Sequence, residues 1–368
     1  MATKPHEPHP YPDMHSKRAT CFPAGPCGRT MGDAEQPRRG YAWTLLSRRT
    51  VKAGRRPMIT APTPEMLWES SDPDAELRRR FGFGSAAAAV GWAVDLTVAE
   101  YGIEVRTVDR VVISAQNLMV WVTTPDQRLI IKICRLAVAH DWLTSRAALV
   151  GWLADRGQPV ARPLMSVGGH RQLLQDDKSV GIQPVLSGGL LDATDHDQVL
   201  AAGHALAALH EDLAAWPDAS RLENVGPVAG GRGKLWALPE GLAESVPREL
   251  LDRLDRRIAE LPELPDRQPV HTDFRGANLL WQGTAISGVL DFEEARLDPA
   301  VMDLAHAVCL LGTWYHNWQP ISPEAQQLLI DTYIDRRPLT DAEQAWLPPL
   351  IAWGMLGFGW YPEADRWL

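Results

Sequence analysis

The chain has 368 residues, 45% of them hydrophobic and 15 of them tryptophan, enough apolar material for a substantial core divided between two lobes. Its net charge of −9 is uneven: residues 1–61 hold 11 Lys or Arg against 4 Asp or Glu, or +7, so the remainder carries −9 − 7 = −16. There is no apolar run of the roughly 20 residues a membrane span needs, no signal-peptide pattern, and no CxxC or zinc spacing among Cys21, Cys27, Cys134 and Cys309, which argues against a membrane protein, a disulfide framework and structural zinc and predicts a cytoplasmic location.

Residues 1–61 are rich in Pro, Gly, His and Arg without hydrophobic periodicity, which predicts a disordered basic tail. A nucleic-acid arm would need interleaved aromatics or a binding fold, and no nucleic-acid partner is expected. From Asp74 to about Ile103 the pattern is helical, with high propensity at alanines 86–89. The runs VVIS, LMVWVTT and RLIIKICR then predict a meander of three strands with turns at 115–117 and 125–127. On the third, Lys132 shares a face with Ile130 and Cys134, while Leu129, Ile131 and Ile133 line the other. A lysine there costs desolvation unless an anion meets it, or unless it snorkels from an edge.

A helix ending at Asp155-Arg156-Gly157 follows, and VGIQPVLSGG, residues 180–189, passes from an apolar strand into a Gly-rich hinge. The spacing of Val199, Gly203, Leu206, Leu209 and Leu213 predicts one amphipathic helix over 195–216, with His210 as a core or supporting group. The cluster Gly230-Gly231-Arg232-Gly233-Lys234 is not a P-loop, because Val228 stands where its first glycine belongs and Leu235 follows the lysine; it reads as a surface loop.

The stretch HTDFRGANLL and the later VLDFEEA hold the chemistry. Leu279–Trp281, a turn at 282–284 and Ile286–Leu290 read as a hairpin that brings Asn278 beside Asp291. Two carboxylates and an amide so placed suit metal-assisted phosphoryl transfer: Asp273 takes a hydroxyl proton, and Asn278 and Asp291 offer hard oxygen ligands to Mg2+. A plain polar turn would also use Asp, Asn and Gly. Five specified residues at fixed spacing, however, arise by chance in such a chain with odds of about one in ten thousand.

On these residues the chain resembles the aminoglycoside phosphotransferases and choline kinase-like small-molecule kinases over roughly residues 75–368, and FRGANLL and DFEEARLD resemble members labelled homoserine kinase type II-like. The resemblance implies an α+β, bilobal, protein-kinase-like fold with a small antiparallel N-lobe, residues 62–183, and a larger, mainly helical C-lobe, residues 184–368. It implies ATP and Mg2+ as cofactors, Asp273 as catalytic aspartate in a loop with His271 and Arg275, His271 ordering that loop, and Asn278 and Asp291 as metal ligands. Lys132 would contact phosphates, with Ser114, Gln116 and Asn117 in the loop above them and backbone near Gln183 and Val185 meeting adenine. Asp298-Pro299 reads as N-cap and first position of a helix that puts Asp303 in its first turn, where the resemblance makes it brace the catalytic loop. Trp314, His316 and Trp318 are candidates for an acceptor pocket.

One departure stands out. Where the resemblance calls for a glutamate to pair with Lys132 the helix has Arg146, and Asp141 is the nearby substitute. That motivates an alternative reading as a nucleotide-binding pseudokinase acting on a partner. The leading reading is a kinase for a hydroxyl of a small polar, amine-bearing molecule, the amine favoured by the charge of −16.

Overall fold

The structure, a computed structural model, describes residues 59–222 and 245–368; the tail to Met58 and the cluster Gly230–Lys234 lie outside the described residues. Ala61–Leu368 forms one compact unit. The predicted meander is the centre of a six-stranded sheet built from β1 (Glu65–Met66), β2 (Thr107–Ile113), β3 (Asn117–Thr123), β4 (Arg128–Cys134), β5 (Leu173–Gln175) and β6 (Lys178–Pro184). The order is β1-β2-β3-β4-β6-β5, antiparallel except for β1, which runs parallel to β2. Alternation decides which face is covered: Leu118, Val120, Val122, Leu129, Ile131 and Ile133 are fully buried, while Lys132 points the other way with Ile130.

The helix expected over 74–103 is broken. A short helix, Pro73–Glu76, runs into a wide turn, Leu77–Phe81, which Gly82 ends in the left-handed region at φ 74°. Ser85 then starts a new helix, α1 (Ala86–Tyr101), its Oγ accepting from the Ala88 N–H. Local backbone chemistry at the glycines overrides the summed propensity of the window.

The rest is mainly helical: α2 (His140–Asp155), α3 (His196–Ala214), α4 (Arg248–Ala259), α5 (Ala300–Leu310), α6 (Pro323–Arg336) and α7 (Asp341–Gly357). Asp195 caps α3 through the N–H groups of Asp197 and Gln198. Gly203 lets α3 and α6 meet, since a Cβ there would stand 2.8 Å from the Leu329 carbonyl oxygen. Two small ribbons carry the loops that matter: β7 (Gly189–Leu190), β9 (Leu279–Gln282) and β10 (Ala285–Val289) form one, and β8 (Arg267–Val270) with β11 (Arg296–Pro299) the other. The β9–β10 hairpin turns at Gly283, φ 66°, and the Leu290 N–H donates to the Asn278 carbonyl, which joins the two chain ends.

Asp298 is not the helix cap expected of it. It pairs in β11 with Gln268 of β8 and its carboxylate meets Arg296, so Pro299 occupies the cap position of α5 without a side-chain bond. Strand pairing claims the aspartate first. Among the described residues no single helix is long and apolar enough to cross a membrane; one helix pair, bent by 50°, passes that test only jointly.

Candidate active site

The loop 271–278 leaves β8 and is held from behind by α5. Asp303, fully buried in the first turn of α5, accepts from the His271 and Thr272 N–H groups, both at 2.8 Å. Its Oδ2 also lies 3.0 Å from His210 Nε2, and His210 Nδ1 lies 2.7 Å from the Tyr333 hydroxyl. Burial alone would raise the Asp303 carboxyl, but the hydrogen bond with His210 and the N–H donated by His271 more than offset it, holding it at about 2. The brace stabilises a strained backbone: Thr272, a β-branched residue, sits at φ 70°, and its hydroxyl donates to the Glu294 carbonyl.

His271 is wedged between Phe292 and Phe274 with ring centroids 4.5 and 6.1 Å away. Its Nε2 faces the Leu290 carbonyl at 2.9 Å and its Nδ1 accepts from the Asp273 N–H at 3.1 Å, which assigns the neutral ring with the proton on Nε2. Burial lowers its pKa, in keeping with that form. The ring ties the catalytic loop to the end of β10.

Asp273 faces forward. Its Oδ1 is 2.9 Å from Arg275 Nε, and Asn278 Nδ2 donates to its Oδ2 at 2.7 Å and to its carbonyl at 3.0 Å. Burial pushes the Asp273 carboxyl up to about 6, with Arg275 opposing and the charge of Asp291 adding to the rise. Asn278 spends its amide N–H on Asp273, which leaves its amide oxygen as the donor for a cation. Gly276 is required here: a Cβ would stand 2.7 Å from Trp314 Nε1 and 2.8 Å from the Leu311 carbonyl oxygen.

Asp291, left-handed at φ 64°, and Glu293 both reach Lys132, each with an oxygen 2.9 Å from Nζ. Burial would lower the Lys132 pKa, but Asp291 and Glu293 hold the ammonium charged and push it well above the usual lysine range. The other Glu293 oxygen accepts from Asn117 Nδ2 at 2.8 Å. Lys132 therefore has its acids, and they come from the 291–293 turn and not from α2. Asp141 is exposed and does not take that place; Arg146 is buried, hydrogen-bonds the Ala295 carbonyl and stacks on Trp142, 4.4 Å from the ring centroid. Trp142 Nε1 donates to the Glu293 carbonyl at 2.6 Å, so α2 holds the turn that supplies the acid.

A cleft lined by Asn117, Lys132, Gly181, Gln183, Leu290 and Asp291 lies between the sheet and this turn. Three residues expected at the nucleotide are engaged elsewhere. Ser114 closes its own hairpin turn, its Oγ accepting from the Asn117 N–H; Gln116 accepts from Arg135; and the Val185 N–H donates to the Arg128 carbonyl at 2.9 Å, so it is unavailable to a base. Of the expected set, the structure brings Lys132, Asn117 and Gln183 to the cleft. Trp318 packs on Arg275, Trp314 donates to the Leu191 carbonyl, and His316 is exposed. Sequence reading missed Trp68, which also packs on Arg275. It has no periodic neighbours to mark it.

With this geometry in view, the comparisons give the class. The model of the phosphotransferase enzyme family matches residues 109–345. The chain belongs to that family and is an enzyme of the kinase type that acts on hydroxyl groups of small molecules. A homoserine kinase of Gluconobacter oxydans (strain 621H) is 29% identical over 215 residues, 57% of this chain and 67% of that protein. Among solved structures, an amicoumacin kinase in complex with AMP-PNP, Ca2+ and Ami superposes with TM-score 0.56 at 15% identity, covering 73% of this chain and 84% of that one. A spectinomycin phosphotransferase in complex with ADP and spectinomycin gives TM-score 0.53 at 14% identity, covering 75% and 86%. The fold is the α+β, bilobal, protein-kinase-like one, with an antiparallel sheet in the N-lobe and a helical C-lobe.

Proposed function

We propose that the protein transfers the γ-phosphoryl group of ATP to a hydroxyl of a small polar, amine-bearing molecule, with Mg2+ as cofactor. Residues 62–183 serve as the nucleotide lobe and 184–368 as the lobe carrying the catalytic loop, metal ligands and acceptor pocket. The observation that carries the reading is the arrangement around one buried carboxylate: Asp273, its pKa raised to about 6, is close enough to Asp291 to feel its charge, while Lys132 neutralises Asp291 on the cleft side. A carboxyl so tuned is a base at neutral pH and a better proton acceptor than an ordinary aspartate.

The residues fit Mg2+ bound together with a nucleotide. Among the described residues no group of three or more His, Cys, Asp or Glu could hold an ion by itself. Asp291 and the Asn278 amide oxygen are two hard donors, and magnesium commonly takes one or two protein oxygens with phosphate and water for the rest. When bound, the ion would neutralise charge on the phosphate oxygens.

In the reaction, the acceptor oxygen forms a bond to the γ-phosphorus as the bond to the bridging β–γ oxygen breaks. The hydroxyl proton passes to Asp273, ADP leaves, and Asp273 later returns the proton to solvent. Lys132 meets phosphate oxygens, and Asn117, on the turn above, can release Glu293 to do the same. The charge of −16 on residues 62–368 favours cationic acceptors. The test is ADP release with Mg2+ and ATP against pools of amino alcohols, amino acids, amino sugars, aminoglycosides, macrolides and neutral sugars. Release with amine-bearing acceptors, falling as salt rises, supports the reading; release only with neutral acceptors removes the amine, and no release with any removes the kinase.

A further inference from the structure

Arg275 lies two residues past Asp273, and its surroundings come from both ends of the folded unit. Its guanidinium carbon is 5.4 Å from the Trp68 ring centroid and 5.3 Å from that of Trp318, lodged in the angle between two rings 6.3 Å apart. Trp68 also meets Tyr315 edge-on at 5.5 Å. Trp68 is fixed on either side. Before it, β1 pairs with β2 and the Leu67 N–H donates to the Ile113 carbonyl at 2.8 Å; after it, Glu69 meets Arg80, whose Nη1 donates to the Ser114 carbonyl at 2.9 Å. A segment outside the residues matched by the family model thus delivers an indole to the catalytic loop.

The guanidinium has an open valence. Its side chain is 8% exposed; Nε stands 2.9 Å from Asp273 Oδ1 as an ion pair, and among the described residues neither Nε nor Nη1, both buried, has a hydrogen-bond partner. A buried charged donor without an acceptor is costly, and two aromatic walls keep water from supplying one. Arg275 touches Asp273, the group that the proposed reading sets against the acceptor hydroxyl, so an anion carried by the acceptor is within its reach. Planar N–H groups match a carboxylate.

We infer that Arg275, held by Trp68 and Trp318, recognises a carboxylate on the acceptor. This rests on the proposed reading in which Asp273 takes the acceptor hydroxyl, and it narrows the acceptor to small hydroxy acids that also bear an amine. Trp68 is a positioning residue: it sets the guanidinium and covers it.

Two arms test this with the full chain. In the first, phenylglyoxal modification of Arg275 is followed by mass spectrometry, with Arg79, 64% exposed, as internal reference. Arg275 reacts slowly in the wild type, about tenfold faster in Trp68→Ala and near the wild-type rate in Trp68→Phe. Homoserine slows the reaction in Trp68→Ala, whereas 3-aminopropan-1-ol, the same molecule without its carboxylate, does not. Equal protection by both, protection by neither, or a wild-type Arg275 as reactive as Arg79 overturns the inference. The second arm compares kcat/KM for serine with ethanolamine and homoserine with 3-aminopropan-1-ol: Arg275→Met lowers the preference for the carboxylate partner about a hundredfold. Trp68→Ala lowers it less, through acceptor KM with ATP KM unchanged, and Trp68→Phe restores it. An equal loss on both members of each pair would place Arg275 at the transferring phosphoryl group instead. Unchanged thermal unfolding of the variants excludes misfolding. If no acceptor releases ADP, the kinase reading fails while the labelling arm still decides the role of Arg275.

Discussion

The back and the front of the catalytic loop are built on opposite rules. Behind it, Asp303 meets two backbone N–H groups and His210, and His210 in turn meets Tyr333, all of it fully buried. In front, Asn117 Oδ1 and Arg275 Nη1 are buried without partners among the described residues, and Lys132 shares two carboxylates. A closed polar network holds one geometry, including a threonine in the left-handed region; an open one leaves donors and acceptors for molecules that arrive. Rigidity and recognition are thus assigned to the two faces of one eight-residue loop.

The largest effect comes from breaking the front. Asp273→Asn lowers kcat by about 10²–10⁴-fold while leaving Mg2+-nucleotide affinity nearly unchanged, because the base is lost and Lys132 and Asp291 remain. Turnover in steady-state assays together with nucleotide titration checks this; an active variant removes the base assignment.

Breaking the back should unfold, not merely slow, the enzyme. Asp303→Ala leaves His210 Nε2 and two N–H groups unpaired in a dry interior, at a cost of about 3–5 kcal/mol in urea unfolding. The pH dependence has a definite sign. Asp303 is held at about 2, below its ordinary 3.8, so its stabilisation is present above 3.8 and is lost as pH falls through 2. Asp303→Asn should flatten that part of the stability curve.

Asp291→Ala takes away a carboxylate that both Lys132 and a cation would use. The thermal stabilisation given by Mg2+-ATP, about 2.7 kcal/mol at a hundred times Kd for the wild type, should vanish. If it survives, Glu293 carries the ion.

Asp273 responds to pH in the opposite sense from Asp303. Its carboxyl is raised to about 6, chiefly by burial, so the base form accumulates as pH rises through 6 and kcat/KM for the acceptor climbs to a plateau above it. The same shift means folding is favoured below 3.8 and loses that contribution as pH rises through 6. A rate profile already flat at pH 5 would contradict the buried setting. The smallest expected effect is that of deleting residues 1–57: folding and turnover unchanged, since that segment lacks apolar periodicity and its charge is solvated. Loss of soluble protein would show that it contributes to the fold.

The linear sequence determined what depends on near neighbours. Alternating apolar residues marked the central strands and the face of Lys132, the spacing of HTDFRGAN and DFEEA marked the hairpin that joins Asn278 to Asp291, and the apolar spacing from Val199 to Leu213 marked α3. These are short-range consequences of backbone period and turn chemistry. Tertiary structure decided what depends on distant pairs. Only folding puts Glu293 on Lys132 across 161 positions, claims Asp298 for a strand, commits the Val185 N–H to Arg128 and lays Trp68 over Arg275. The physical reason is that a charge or an indole finds its partner by where surfaces meet, and no local period encodes which surfaces those are.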